Sequence, residues 1–117
     1  MATKEITFED FLQLDYRENE SYKALYTPQF AEYVLIERNK VNRKQRPRWA
    51  RELADAILRN EWLYTHQGLG FDVNGMLKDG QHRTMGVILA GMEIPIALTT
   101  GLAAETFKVM DIGNIRS

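Results

Sequence analysis

The pair Asn74-Gly75 lies between Leu69–Asp72 and 76–78, two short runs that suit β-strands. A two-residue hairpin loop needs positive φ at its central residues, and Asn followed by Gly tolerates this best. The dipeptide therefore commits the chain to an antiparallel strand pair at this point. A lone hairpin is marginally stable in water, so it must pack against something else.

What precedes it has helical periodicity. Thr27-Pro28 is a helix start: Thr caps, and Pro occupies the first position, where its missing N–H costs nothing. Phe30, Tyr33 and Val34 follow at helical spacing, with Leu35 and Ile36 widening the face to about Arg38, and Asn39 as a stop. Pro47 turns Arg46 away from helical angles and opens a second helix, 47–60. Here Trp49, Leu53 and Ile57 recur every fourth residue beside Ala50, Ala54 and Leu58, while Arg48, Arg51, Glu52, Asp55 and Arg59 make the polar face. Nearer the amino end, Thr7 with Glu9 and Asp10 predicts a short helix over 7–17, carrying Phe8, Phe11, Leu12 and Tyr16 on one stripe. The polar stretch 19–24 reads as a loop, and 62–64 as a short strand. After the hairpin, 81–90 reads as a helix stopped by Gly91, 94–100 as a β-branched strand, 103–110 as a short helix and 111–117 as an irregular tail. The expected fold class is α+β, a small mixed β-sheet with packed helices.

Composition sets the outer bounds. A chain of 117 residues, 44% apolar and 26% charged, predicts one globular domain. With no cysteine, a disulfide scaffold, a thiolate nucleophile and Cys-ligated zinc are excluded. The histidines, His66 and His82, are too few for a His-rich structural metal site, and no metal is expected. No run of 18 apolar residues and no signal-type amino end is found, so neither a membrane span nor a leader is expected, and a cytoplasmic setting in a bacterium or phage-infected host is. The net charge of −1 conceals segregation. Residues 1–37 carry eight acids and three bases, 38–51 carry seven bases and no acid, and 52–117 carry eight acids and five bases. A uniformly basic nucleic-acid binder is excluded; a local anion site is not.

The stretch Asp79-Gly80-Gln81-His82-Arg83-Thr84 sits at a strand-to-helix junction. Helix starts normally attract acids, because the dipole is positive there. Here His82 and Arg83 stand in the first turn instead. Two arrangements are open. An anion such as phosphate lies between these cations and the first amides, or Asp79 caps the helix and Arg83 pairs with an acid elsewhere.

These residues resemble the glycine–histidine–arginine box of the ParB/sulfiredoxin-like superfamily, in the DGQHR form found in phage and prophage proteins. Asn42-Arg43 resembles the Asn/Arg element before the first long helix of such domains, and Asp111, Gly113 and Arg116 resemble a closing element. The resemblance covers about 27–117 and sets 1–26 apart as an amino-terminal extension with a short helix. It implies a ParB/sulfiredoxin-like fold and a nucleotide–phosphate site. Gly80 and Gln81 would offer backbone amides, and His82 and Arg83 would contact phosphate oxygens, with Thr84 as hydroxyl donor. Asn42 and Arg43 would approach from the basic loop, with Asp79, Lys44 and Arg116 as accessories. The implied ligand is a nucleoside triphosphate with Mg²⁺, either hydrolysed or merely sensed; the catalytic residues are unknown. The absence of Cys excludes sulfiredoxin chemistry, and His82 stands where ParB boxes have the first of two arginines. Some relatives are serine kinases using a carboxylate base, for which Asp79 and Glu93 are the nearby acids.

Two other functions compete with nucleotide binding. One is a nuclease-like module holding DNA phosphates. The other is a non-enzymatic phage or bacterial protein that reuses the fold to bind or inhibit a host protein, with the acidic 1–26 as its surface. Among the remaining residues, Trp49 and Trp62 are expected as core anchors, His66 as a polar loop residue, and Met76, Met85, Met92 and Met110 as core fillers.

Overall fold

The computed structural model describes residues 4–39, 47–62 and 68–104. Its elements run β1 (Lys4–Ile6), α1 (Phe8–Leu12), β2 (Ser21–Tyr26), α2 (Pro28–Glu37), α3 (Pro47–Leu58), β3 (Leu69–Asp72), β4 (Leu77–Asp79), α4 (Gln81–Ala90) and β5 (Ile94–Leu102). The strands form one mixed sheet in the order β1-β2-β5-β3-β4. β5 lies in the middle, antiparallel to β2 and parallel to β3. The fold is α+β, as expected.

The hairpin forms where Asn74-Gly75 predicts it, but its loop is three residues, 73–75, rather than two: Gly75 is at φ 80° while Asn74 is not at positive φ, the Asp72 amide donates to the Met76 carbonyl at 2.9 Å and the Gly75 amide to the Asp72 carbonyl at 2.9 Å. Its loop is also held from inside. Asp72 Oδ1 accepts from the amides of Asn74 and Met76 at 2.8 and 2.9 Å. The other carboxylate oxygen stands 3.8 Å from Lys78 Nζ, both side chains being buried. Lys78, one residue before Asp79, is thus occupied by the hairpin.

α2 begins at the Thr27-Pro28 signal, the Thr27 hydroxyl accepting from the Phe30 amide at 3.1 Å. α4 stops at Gly91 in the left-handed region. α1 has the Thr7 cap with a reciprocal Asp10 bond, but it ends at Leu12, shorter than 7–17. Tyr16, beyond the helix, returns by donating to the Phe11 carbonyl at 2.8 Å.

The polar stretch 19–24 is a correction. Residues 21–26 are β2, with Tyr22, Ala24 and Tyr26 buried and Ser21, Lys23 and Leu25 exposed. The period-two pattern is present, but alternating Lys and Ser mask it, and its partner β5 lies some seventy positions on. β1 joins the same sheet, so residues 4–26 supply two strands rather than standing outside the main body. Residues 18–20 are tied to the end of β5: the Thr100 hydroxyl donates to the Glu18 carbonyl at 2.6 Å, and Asn19 Nδ2 donates to the Thr100 carbonyl at 2.9 Å.

One core unites the molecule. Phe11, Phe30, Val34, Ile57 and Val87 of the helices pack with Tyr22, Tyr26, Phe71, Leu77, Ile96 and Leu98 of the strands. Ile36 and Met92, expected to widen or fill that core, are 68% and 45% exposed. Met76 and Met85 are half-buried. Trp62 packs on the core and donates from Nε1 to the Pro95 carbonyl at 3.0 Å. It lies outside any strand, and the rest of the expected 62–64 strand lies outside the described residues. So do 105–110, most of the expected closing helix, and the tail. No described helix is long and apolar enough to cross a membrane.

Candidate functional site at two helix starts

Between β4 and α4 the chain turns at Gly80, which occupies the helix cap with φ 107°. The turn is packed tightly: a Cβ here would come within 2.5 Å of Leu69 Cδ2 and 2.8 Å of the Gly68 carbonyl oxygen. Gly68 in turn lies so close to β5 that a Cβ on it would run into the Ala97 carbonyl. Asp79, a possible cap by sequence, is instead the exposed last residue of β4. α4 therefore starts without a side-chain cap and without an acid in its first turn. α1 and α2 contrast with it, each having a threonine cap.

α3 brings a second helix start to the same place. The Trp49 and His82 rings lie 5.2 Å apart. One turn on, Gly86 meets Leu53, Ala50 and Ala54, and a Cβ on it would stand 3.0 Å from Leu53 Cβ. The contacts run in the same order along both helices, so α3 and α4 pack in parallel. Glycine at 86 permits the close approach.

Parallel packing sets both dipoles side by side with their positive ends together. Each end acts as roughly half a positive charge. Their mutual repulsion amounts to about a few tenths of a kcal/mol at the spacing of packed helices. The sequence adds to it: neither first turn contains an acid, while His82 and Arg83 begin α4 and Arg48 begins α3. Arg48 reaches Glu52 at 4.0 Å across an exposed surface, a weak pair. Arg83 Nη1 donates to the Gly68 carbonyl at 3.4 Å, which holds the guanidinium beside the turn. Arg48, His82 and Arg83 thus stand in the first turns of the two helices, with the exposed Asp79 just before the α4 turn.

The expected site residues separate into three groups. Gly80, His82 and Arg83 lie together at the turn, the last two half-buried, with Asp79 exposed beside them. Gln81 is 9% exposed, its side chain turned away from solvent. Thr84 is fully buried, and its hydroxyl is 2.7 Å from the Tyr26 hydroxyl beneath the helix. Burial pushes the Tyr26 phenol far above its usual range, against a smaller opposing effect of that hydrogen bond. Thr84 is thus a core residue rather than a surface donor. Thr84→Val should lower stability by about 2 kcal/mol, the cost of orphaning a buried hydroxyl. Urea denaturation tests this, and anion affinity should not change; unchanged stability would mean the hydroxyl pair contributes nothing. Asn42, Arg43, Lys44, His66 and Arg116 lie outside the described residues.

Two residues have roles that the sequence does not reveal. Trp49, expected in the core, is 48% exposed, because α3 buries Ala50, Ala54 and Ile57 instead. Arg38, first base of the basic segment, is a structural cation. Its guanidinium lies about 5 Å from the ring centres of Phe11, Tyr16 and Tyr33. It donates to the hydroxyls of Tyr16 and Tyr33 and to the Gly75 carbonyl, at 2.9 to 3.1 Å. A cation at a helix end followed by Asn carries no sequence mark of such a cage.

Among the described residues no group of three His, Asp or Glu side chains could hold a metal ion. No family model, curated protein or solved structure matches this chain.

Proposed function

We propose that the end of the molecule formed by the starts of α3 and α4 binds phosphate, and that the protein is a nucleotide-binding domain of ParB/sulfiredoxin-like type. The observation that carries this reading is the parallel docking of two helix starts with cations, and no acids, in their first turns. Phosphate suits such a place: it accepts several amide hydrogen bonds and pairs with a guanidinium at once. The resemblance of Asp79-Gly80-Gln81-His82-Arg83 to the superfamily's nucleotide box points the same way. The proposed roles are those of binding; Asp79 is the acid adjacent to the turn, and no reaction step is assigned to it.

Isothermal titration with ATP, CTP, ADP and GTP, each with Mg²⁺, tests the proposal. Arg83→Ala should weaken binding on the order of tenfold or more, as loss of a charge-assisted hydrogen bond does. Arg59→Ala should leave it within about twofold, since Arg59 is exposed at the far end of α3 and pairs with Glu61 at 3.1 Å. No binding by folded protein would end this reading. Affinity for duplex DNA falling steeply with salt, without mononucleotide binding, would favour the backbone-binding alternative.

A further inference from the structure

We propose that Asn74 is a modification site: its side-chain amide converts spontaneously to aspartate and isoaspartate, and the packing of the hairpin tip sets the rate. This is independent of the anion reading above. Asn74 is the one asparagine in the sequence that glycine follows, and it is exposed at the tip. The reaction needs only water. The Gly75 main-chain nitrogen loses its proton and attacks Asn74 Cγ, a C–N bond closes the succinimide ring, and ammonia leaves. Water then adds to either ring carbonyl. Opening at one restores the main chain with aspartate at 74. Opening at the other routes the main chain through the side chain, as isoaspartate. A glycine nitrogen is the best placed for this attack, because no Cβ hinders its approach.

The fold cannot dispense with that glycine. Gly75 has φ +80°, and a Cβ on it would stand 2.7 Å from Arg38 Nη1 and 2.8 Å from Tyr16 Cδ2. Turn and cage thus require the residue that makes Asn74 labile. The same contacts restrain the reaction. The Gly75 amide donates to the Asp72 carbonyl at 2.9 Å, so the nitrogen keeps its proton. The Asn74 amide donates to Asp72 Oδ1 at 2.8 Å, and the Gly75 carbonyl accepts from Arg38 Nη1 at 2.9 Å. With the main chain held on both sides, the Gly75 nitrogen reaches Cγ only after the tip leaves Arg38. Isoaspartate adds an atom to the main chain within this loop, so these bonds cannot all form again. Conversion is therefore a one-way release of the hairpin from α2.

The test follows the intact chain at mildly alkaline pH, folded and in urea, with mass-spectrometric peptide mapping that separates asparagine, aspartate and isoaspartate at 74. Asn74 should convert in both states, on the order of tenfold or more slowly when folded. Arg38→Lys, with circular dichroism confirming its fold, should convert several-fold faster than wild type, because an ammonium cannot replace the guanidinium fork on Gly75 and the two tyrosines. Gly91→Ala, at the far end of α4, should match wild type within about twofold, as expected when local opening of the tip controls the rate. No conversion of Asn74 in urea would overturn the site itself. Equal rates folded and in urea, an Arg38→Lys rate equal to wild type, or equal acceleration in Gly91→Ala and Arg38→Lys would each overturn control by the tip.

Discussion

Arg38→Ala is expected to destabilise the protein by about 3 kcal/mol, read as a fall of roughly 10 °C in Tm. The side chain connects three segments. Through Tyr16 it holds the end of the amino-terminal turn, through Tyr33 the last turns of α2, and through the Gly75 carbonyl the hairpin tip. The backbone joins in, with the Leu77 amide donating to the Arg38 carbonyl at 2.6 Å. Alanine would leave the half-buried Tyr16 and Tyr33 hydroxyls and the Gly75 carbonyl short of a donor, and would empty the space between three rings. Lysine should recover less than half of the loss, because an ammonium cannot reproduce the planar fork or stack as guanidinium does. A loss below about 1 kcal/mol would show that the cage is surface decoration.

Gly80→Ala should cost about as much, near 3 kcal/mol, for a different reason. Two effects combine there. The left-handed conformation, φ 107°, is unfavourable for any side chain, and the Cβ would press on Leu69 and the Gly68 carbonyl. Gly91→Ala separates them. Gly91 is also left-handed, at φ 66°, yet a Cβ there meets nothing within 4 Å. It should cost only about 1 kcal/mol. Chemical denaturation of both variants gives the steric share as the difference; equal costs would mean the turn is not tightly packed against β3.

Much of the fold was legible where one or two residues settle local geometry. Thr27-Pro28, Asn74-Gly75 and Gly91 each act through their own backbone preferences, and each appears where expected. β1 and β2 were not legible, because their evidence is non-local. A strand of three residues, Lys4–Ile6, has too short a pattern to register. The Tyr22–Ala24–Tyr26 alternation becomes decisive only once β5 lies beside it. Trp49 shows a related limit. Helical spacing identifies a stripe, but which edge of the stripe is covered depends on where the neighbouring helix stops. The candidate site was half legible: the clash between helix dipole and first-turn cations at His82 and Arg83 can be read from sequence. That α3 begins beside them, and that Thr84 points inward to Tyr26, cannot.

The central position of β5 has a consequence for how the chain is made. Synthesis runs from the amino end, and 94–102 emerges only after both flanking strand pairs. Until then β1-β2 and β3-β4 are separate two-stranded ribbons, each with one open edge awaiting the same missing strand. The nascent chain therefore cannot complete its sheet in stages on the ribosome. A polypeptide stalled before residue 94 would offer two unsatisfied edges to its neighbours, a natural substrate for chaperones or aggregation. Arrival of β5 fills both at once and should make sheet formation a late, single event, slowed by closing a loop of some seventy residues between β2 and its partner.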